Sequence, residues 1–182
     1  MFLLKKPCSE LAVLGLGANK AFEKEDGLNL SPKETILEAV ECLEKELSSF
    51  RLSSCYVTAP MYYENQSPFY NGVCCGYYNG SPRSLLRFIH SVEKKFGRNR
   101  KNEERNGPRT LDIDIELFGN RVLATKHLVI PHERIKERAF VLKPLLEILP
   151  DCADVHTGRP YREFLENLGT LDGVVYSVEN WR

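Results

Sequence analysis

Twice in this chain a serine followed by proline opens a run with helical spacing, at Ser31-Pro32 and at Ser81-Pro82. These two starts fix where strands can lie. A serine hydroxyl satisfies exposed amides of a helix's first turn, and proline at the first helical position has the right φ and no amide left without a partner. After the first start, Glu34 falls three residues beyond the serine, which predicts a reciprocal capping box. The helix is expected over about 32 to 48, with Ile36, Leu37, Val40, Leu43 and Leu47 on its apolar face and Glu38, Glu41, Glu44, Lys45 and Glu46 in the remaining positions. The second start predicts a helix carrying Leu85, Leu86, Ile89, Val92 and Phe96, closed by Gly97 as a left-handed cap.

Strand signals fill the intervals. Leu11–Gly17 is too short and too apolar for a surface helix and suits a buried strand. Arg51–Ala59 and Phe69–Tyr78 are rich in β-branched and aromatic residues and are separated by Pro60 and the turn cluster Glu64 to Pro68. Leu111–Phe118 alternates between apolar and polar side chains. The order is β-α-β-β-α-β, which predicts an α+β, ferredoxin-like fold: a four-stranded antiparallel sheet with both helices on one face and the other face left for a ligand. Residues 119–182 are expected to add a small hairpin, a Pro131–Pro150 segment broken by three prolines, a short helix near Tyr161–Leu168 and a last strand near Gly173–Val178. No repeat, low-complexity tract or linker divides the 182 residues, so one domain over 1–182 is expected.

Lys and Arg number 25 and Asp and Glu number 25, so the chain has no overall field that would hold nucleic acid or an anionic membrane. Any anion must be bound by a local patch. No apolar run approaches the roughly 20 residues of a membrane span, and Lys5-Lys6 cuts off Phe2–Leu4 before a signal-peptide core can form. A soluble, unexported, cytoplasmic chain is therefore expected, and a monomer is the default expectation, since the sequence itself does not give oligomeric state. The six cysteines, Cys8, Cys42, Cys55, Cys74, Cys75 and Cys152, form no CxxC pair and no zinc spacing, which predicts reduced thiols, with Cys74 and Cys75 on opposite faces of a strand.

Alternation in Thr110-Leu-Asp-Ile-Asp-Ile-Glu-Leu117 places Leu111, Ile113, Ile115 and Leu117 toward the helices and Asp112, Asp114 and Glu116 on the opposite face. Two carboxylates about 6–7 Å apart along a strand fit either a solvated outer face or a clamp for magnesium, whose remaining positions take water and phosphate. Between Lys94 and Arg109 lie seven basic residues against Glu103 and Glu104 alone, and this run feeds directly into the aspartates. Taken with the carboxylates it describes a polyphosphate site; taken alone it fits a solvated loop. Arg109 follows a Gly107-Pro108 turn that holds its direction. His132 could donate to a phosphate or be structural, and Phe69 and Phe140 fit a core by spacing alone. A P-loop and a dinucleotide fingerprint are both absent.

The sequence resembles the 6-hydroxymethyl-7,8-dihydropterin pyrophosphokinases of folate biosynthesis. The resemblance is carried by Leu16-Gly-Ala-Asn19, Tyr56-Val-Thr-Ala-Pro60, Phe69-Tyr-Asn71, Phe96-Gly-Arg98, Arg105-Asn-Gly-Pro-Arg-Thr-Leu-Asp-Ile-Asp114, Ile130-Pro-His-Glu-Arg134 and Arg138-Ala-Phe140, in family order. It implies a ferredoxin-like enzyme that moves pyrophosphate from ATP to the pterin hydroxymethyl oxygen and releases AMP. It further implies that Asp112 and Asp114 bind two Mg2+ ions and that Arg98 and Arg109 are catalytic. Glu93, Arg100, Arg105, Arg109, His132 and Arg138 fall at nucleotide contacts. Phe69 and Phe140 would sandwich the pterin, while Thr58, Ala59, Met61 and Asn71 read its edge and Asp112 touches it. The loop from Arg98 to Pro108 is expected to close over the polyphosphate as a lid.

Glu116 stands where the family has an apolar residue, and is either a surface acid or an extra group behind the aspartates. Ala18 replaces a frequent serine, and Asn106 a tryptophan that some members carry in the lid. An RNA-recognition module shares the element order but needs aromatics where this strand has aspartates. A nucleotidyl transferase could use the same metal pair and would release pyrophosphate.

Overall fold

The computed structural model describes residues 9–60, 65–99, 107–169 and 175–181. In chain order the elements are β1 (Glu10–Ala18), β2 (Phe22–Glu23), β3 (Asn29–Leu30), α1 (Pro32–Glu46), β4 (Ser48–Leu52), β5 (Cys55–Thr58), β6 (Phe69–Tyr78), α2 (Pro82–Lys95), β7 (Asp112–Phe118), β8 (Leu123–Ala124), β9 (Val129–Ile130), a 3-10 turn (Ile135–Glu137), α3 (Ala139–Ile148), α4 (Tyr161–Asn167) and β10 (Val175–Glu179). The main sheet runs β10-β5-β6-β1-β7, with β4 also paired to β6, and all of its pairs are antiparallel. It is the expected α+β fold with additions. Among the described residues no helix is long and apolar enough to cross a membrane.

Both Ser-Pro starts act as read from the sequence. Ser31 Oγ accepts from the Glu34 amide and the Glu34 carboxylate accepts from the Ser31 amide at 2.8 Å, while Ser81 and Ser84 form the equivalent box on α2. Gly97 adopts φ +78°, the left-handed cap of α2. Ile36, Ala39, Val40 and Leu43 of α1 and Leu85, Ile89 and Val92 of α2 pack on Leu14, Leu16, Cys74, Ile113 and Ile115 to form the first core.

Three expectations need correction. Arg51–Ala59 is not one strand but two, β4 and β5, separated at Ser53-Ser54; Ser53 bonds Val73 through both its amide (2.9 Å) and its hydroxyl (3.0 Å), and the ten-residue β6 pairs with both pieces. Strict alternation fails in β7. There Val13 pairs Leu117 and Leu14 pairs Ile115, so Glu116 is the extra residue of a bulge, and Leu117 joins the second core rather than the face of α1 and α2. Both expected helices, α1 and α2, lie on one face, but the other face is not left free along its length. The Pro131–Pro150 segment contains α3, with Pro144 inside it, and α3 and α4 cover much of the second face by packing Val141, Leu142, Leu145 and Tyr161 on Val13, Val73, Cys75 and Leu117.

Cys74 lies in the first core and Cys75 in the second, as the period of two requires, and the described cysteines are all free thiols. The hairpin of β8 and β9, helix α4 and the terminal strand β10 match the expected additions. Trp181 follows β10 and is buried under β6, its indole N–H donating to Ser53 O at 2.7 Å; a Cβ on Gly72 would lie 2.7 Å from the indole, so only glycine fits there without a shift. Covering the second face this way leaves open the end of the sheet near Gly15, Gly17, Asp112 and Asp114.

Candidate active site

That opening is a cavity whose wall includes Gly15, Gly17, Thr58, Ala59, Gln66, Phe69, Asn71, Arg109, Asp112, Asp114, Glu116, Arg138 and Phe140. Its floor follows from strand register. Asp112 pairs with Gly17 and Asp114 with Gly15 across β1, so that strand sets no side chain opposite either carboxylate.

Asp112 is held from both sides. One carboxylate oxygen meets Arg98 Nη1 and the other lies 2.5 Å from Arg109 Nη1. Arg98 is itself fixed, donating to Leu111 O at 2.8 Å and to Glu93 Oε1 at 3.2 Å. Glu93 is buried and accepts the Ile113 amide at 3.1 Å, which ties α2 to β7. Burial pushes the Asp112 carboxyl upward, but Arg98 and then Arg109 outweigh it and hold the group below the usual carboxylate range. Asp114 is less compensated. Burial and then the Asp112 charge raise it to about 6, with Arg138 pulling the other way from 3.4 Å.

His132 donates its amide to Glu116 O at 2.9 Å, and its Nδ1 accepts from the Arg134 amide at 3.2 Å. The ring proton is therefore assigned to Nε2, which faces Asp114 Oδ2 at 4.0 Å. Burial, then Arg138, depresses this imidazole to about 4, so at neutral pH it is an uncharged donor. Arg109 lies over the Phe69 ring and Arg138 over the Phe140 ring, each 5.6 Å from the centroid. Thr58 Oγ1 accepts from Asn71 Nδ2 at 2.8 Å in the buried part of the wall.

The structure thus brings Thr58, Ala59, Phe69, Asn71, Arg109, Asp112, Asp114, Arg138 and Phe140 to one cavity. Glu93, Arg98 and His132 stand behind that wall. Met61, Arg100, Arg105, Asn106 and most of the expected lid fall outside the described residues. Glu116 is no surface acid: it is 1% exposed, its carboxyl is raised to about 8 by burial and then by Asp114, and a Cβ on Gly15 would lie 2.7 Å from its Oε1.

Asn19, which closes the Leu16-Gly-Ala-Asn19 motif without a role assigned from sequence, proves to be a structural pin of the site. Its Oδ1 accepts the Arg109 amide at 2.9 Å, and its Nδ2 donates to Gln66 Oε1 at 3.0 Å and to Ser67 O at 3.1 Å. Its amide also donates to Arg109 O at 3.0 Å, so one side chain pins both the arginine and the approach to Phe69. In sequence its place in that motif and a small polar residue directly after a buried strand mark the position, but neither names its partners.

The sequence model for 7,8-dihydro-6-hydroxymethylpterin-pyrophosphokinase (HPPK) matches residues 13–150. The chain belongs to this family. Among relatives, a 2-amino-4-hydroxy-6-hydroxymethyldihydropteridine pyrophosphokinase of Aquifex aeolicus is 39% identical over 71% of this chain and 79% of its own length. The Bacillus subtilis protein of the same name is 40% identical over 67% of this chain and 74% of its own. The chain also resembles the folic acid synthesis protein fol1 of Schizosaccharomyces pombe, with 38% identity over 87% of this chain, but it spans only 22% of that longer protein. A Plasmodium falciparum HPPK-DHPS crystal structure shares the fold, with a TM-score of 0.68 and 16% identity over 90% of this chain and 46% of that one.

The Asn19 geometry generates a prediction for this HPPK chain. Asn19→Ala removes the acceptor of the Arg109 N–H and one hydrogen bond of the Gln66 side chain, and should lower unfolding free energy in urea by about 1–3 kcal/mol. Unchanged stability together with unchanged nucleotide affinity would show that Asn19 pins nothing.

Proposed function

We propose that this chain transfers the pyrophosphoryl group of ATP to the hydroxymethyl oxygen of 6-hydroxymethyl-7,8-dihydropterin and releases AMP, acting as a cytoplasmic monomer. The observation that carries the reading is the convergence, in one cavity, of two carboxylates, two arginines and two aromatic rings. In the reaction a bond forms between the hydroxymethyl oxygen and the β-phosphorus, and the bond from that phosphorus to the bridging oxygen of AMP breaks. The hydroxyl proton is released.

The site fits two magnesium ions as far as the protein's share goes. Asp114 carries negative charge that its neighbours do not fully offset, which is where a cation is favoured. Mg2+ takes its remaining ligands from water and phosphate, so two carboxylates would be enough of a protein share. Asp112 and Asp114 would hold the ions, whose charge would stabilise the phosphates during displacement.

The chain's own groups do the rest. Arg109 and Arg138 stand beside the carboxylates and above the rings, placed to exchange carboxylate for phosphate oxygens. His132 offers an uncharged N–H from the same side as Asp114. Phe69 and Phe140 would take the faces of the flat heterocycle, and Thr58 and Asn71 would read its edge. Arg98, fixed on Glu93 and Leu111 O, orients Asp112.

Two substitutions test this assignment. Asp112→Asn should keep the fold and lower AMP formation by roughly three orders of magnitude, because a metal-binding charge is lost; near-normal turnover would remove Asp112 from the chemistry. Phe140→Ala should weaken pterin binding by about 1–3 kcal/mol, the scale of base-on-aromatic stacking, with a smaller effect on ATP. Calorimetry showing equal losses for both ligands would place Phe140 in the core.

A further inference from the structure

A second concavity lies on the opposite side of the sheet from the catalytic cavity and shares no residue with it. It runs between the outer face of α2 and the hairpin of β8 and β9, and encloses about 520 Å3, within the usual span of small-molecule sites. Its floor is apolar. Leu86 of α2 and Leu123 and Leu128 of the hairpin turn one side to the first core and the other to this groove, and Val122 at its edge is 56% exposed.

Its rim is basic. Arg83, Arg87 and His90 follow one another at helical spacing on α2, and Arg121 and His127 face them from the hairpin. None of the lining residues is acidic. Arg121 is paired with Glu10 at 2.6 Å, whereas among the described residues neither Arg83 nor Arg87 has a carboxylate within 4.0 Å. Two arginines one helical turn apart repel each other. In a chain whose charges balance overall, this flank keeps an excess of cations over an apolar trough.

We propose that this groove is a second, non-catalytic site for a small organic anion, an apolar or aromatic body bearing a phosphate or carboxylate group. The leucine floor takes the body, and Arg83 and Arg87 pair with the oxyanion in the forked geometry that guanidinium favours. The volume, with cationic side chains set along one edge of a leucine floor, matches a small amphipathic anion. The assignment is independent of the chemistry on the other face.

The test is a titration of the full chain, followed by amide chemical shifts, with 2-naphthyl phosphate, 2-naphthoate, inorganic phosphate and a decaglutamate peptide as separate probes. The naphthyl anions should shift amides within 83–90 and 121–128, and comparison of the two distinguishes phosphate from carboxylate as the preferred oxyanion. Inorganic phosphate should bind there at least tenfold more weakly, and added salt should weaken every probe. Arg83→Gln with Arg87→Gln should lower naphthyl anion affinity at these amides about tenfold or more while ATP consumption and thermal midpoint stay unchanged; His127→Gln provides an independent lesion on the hairpin. Shifts confined to the catalytic cavity, or affinity unaffected by the double substitution, would overturn the proposal. So would binding of decaglutamate without binding of the naphthyl anions, since that would make the groove a protein-docking surface.

Discussion

The site rests on the way Asp112 is held. Its two oxygens face Arg98 and Arg109, one anchored on α2 through Glu93 and the other on the end of β1 through Asn19, the residue that follows it. A carboxylate buried without such partners would take up a proton rather than stay charged. With them, it stays ionised beside Asp114, and the arginine heads are held at the place proposed for phosphate. The glycines opposite the two aspartates complete the arrangement by leaving the floor of the cavity bare.

In this packing the chain's own side chains pair as a loaded site of the proposed kind would need, with arginine where a cation would sit and carboxylate where phosphate would sit. Binding is then an exchange of partners rather than the burial of new charge, which limits the desolvation cost that isolated ions would meet. It also joins the polar and aromatic walls of the cavity. Arg109 lies against Phe69 and Arg138 against Phe140, so the groups proposed for phosphate touch the rings proposed for the heterocycle.

Much of this was legible in the sequence because it is local. The Ser-Pro starts, the Gly97 cap and the pairing of Asp112 with Asp114 depend on neighbours a few residues apart. What was not legible depends on distant partners or on breaks in periodicity. The bulge at Glu116 turns Leu117 to the wrong face for simple alternation, because pairing with Val13 and packing under α3 outweigh the period of two. Pro144 reads as a helix breaker, yet α3 continues through it because burial of Val141, Leu142 and Leu145 on the sheet outweighs one missing amide. Asn19 meets Gln66 and Arg109 across separations of 47 and 90 residues, which no local pattern encodes.

The central claim is that one cavity joins the outer two phosphates of ATP to a pterin. Phosphorus NMR of a single reaction mixture, containing the chain, ATP, magnesium and 6-hydroxymethyl-7,8-dihydropterin, addresses it directly. The account predicts AMP and a pterin product with two coupled phosphorus resonances, formed in equal amounts and only when the pterin is present. Release of ADP, or of free pyrophosphate with a nucleotidylated pterin, would contradict it.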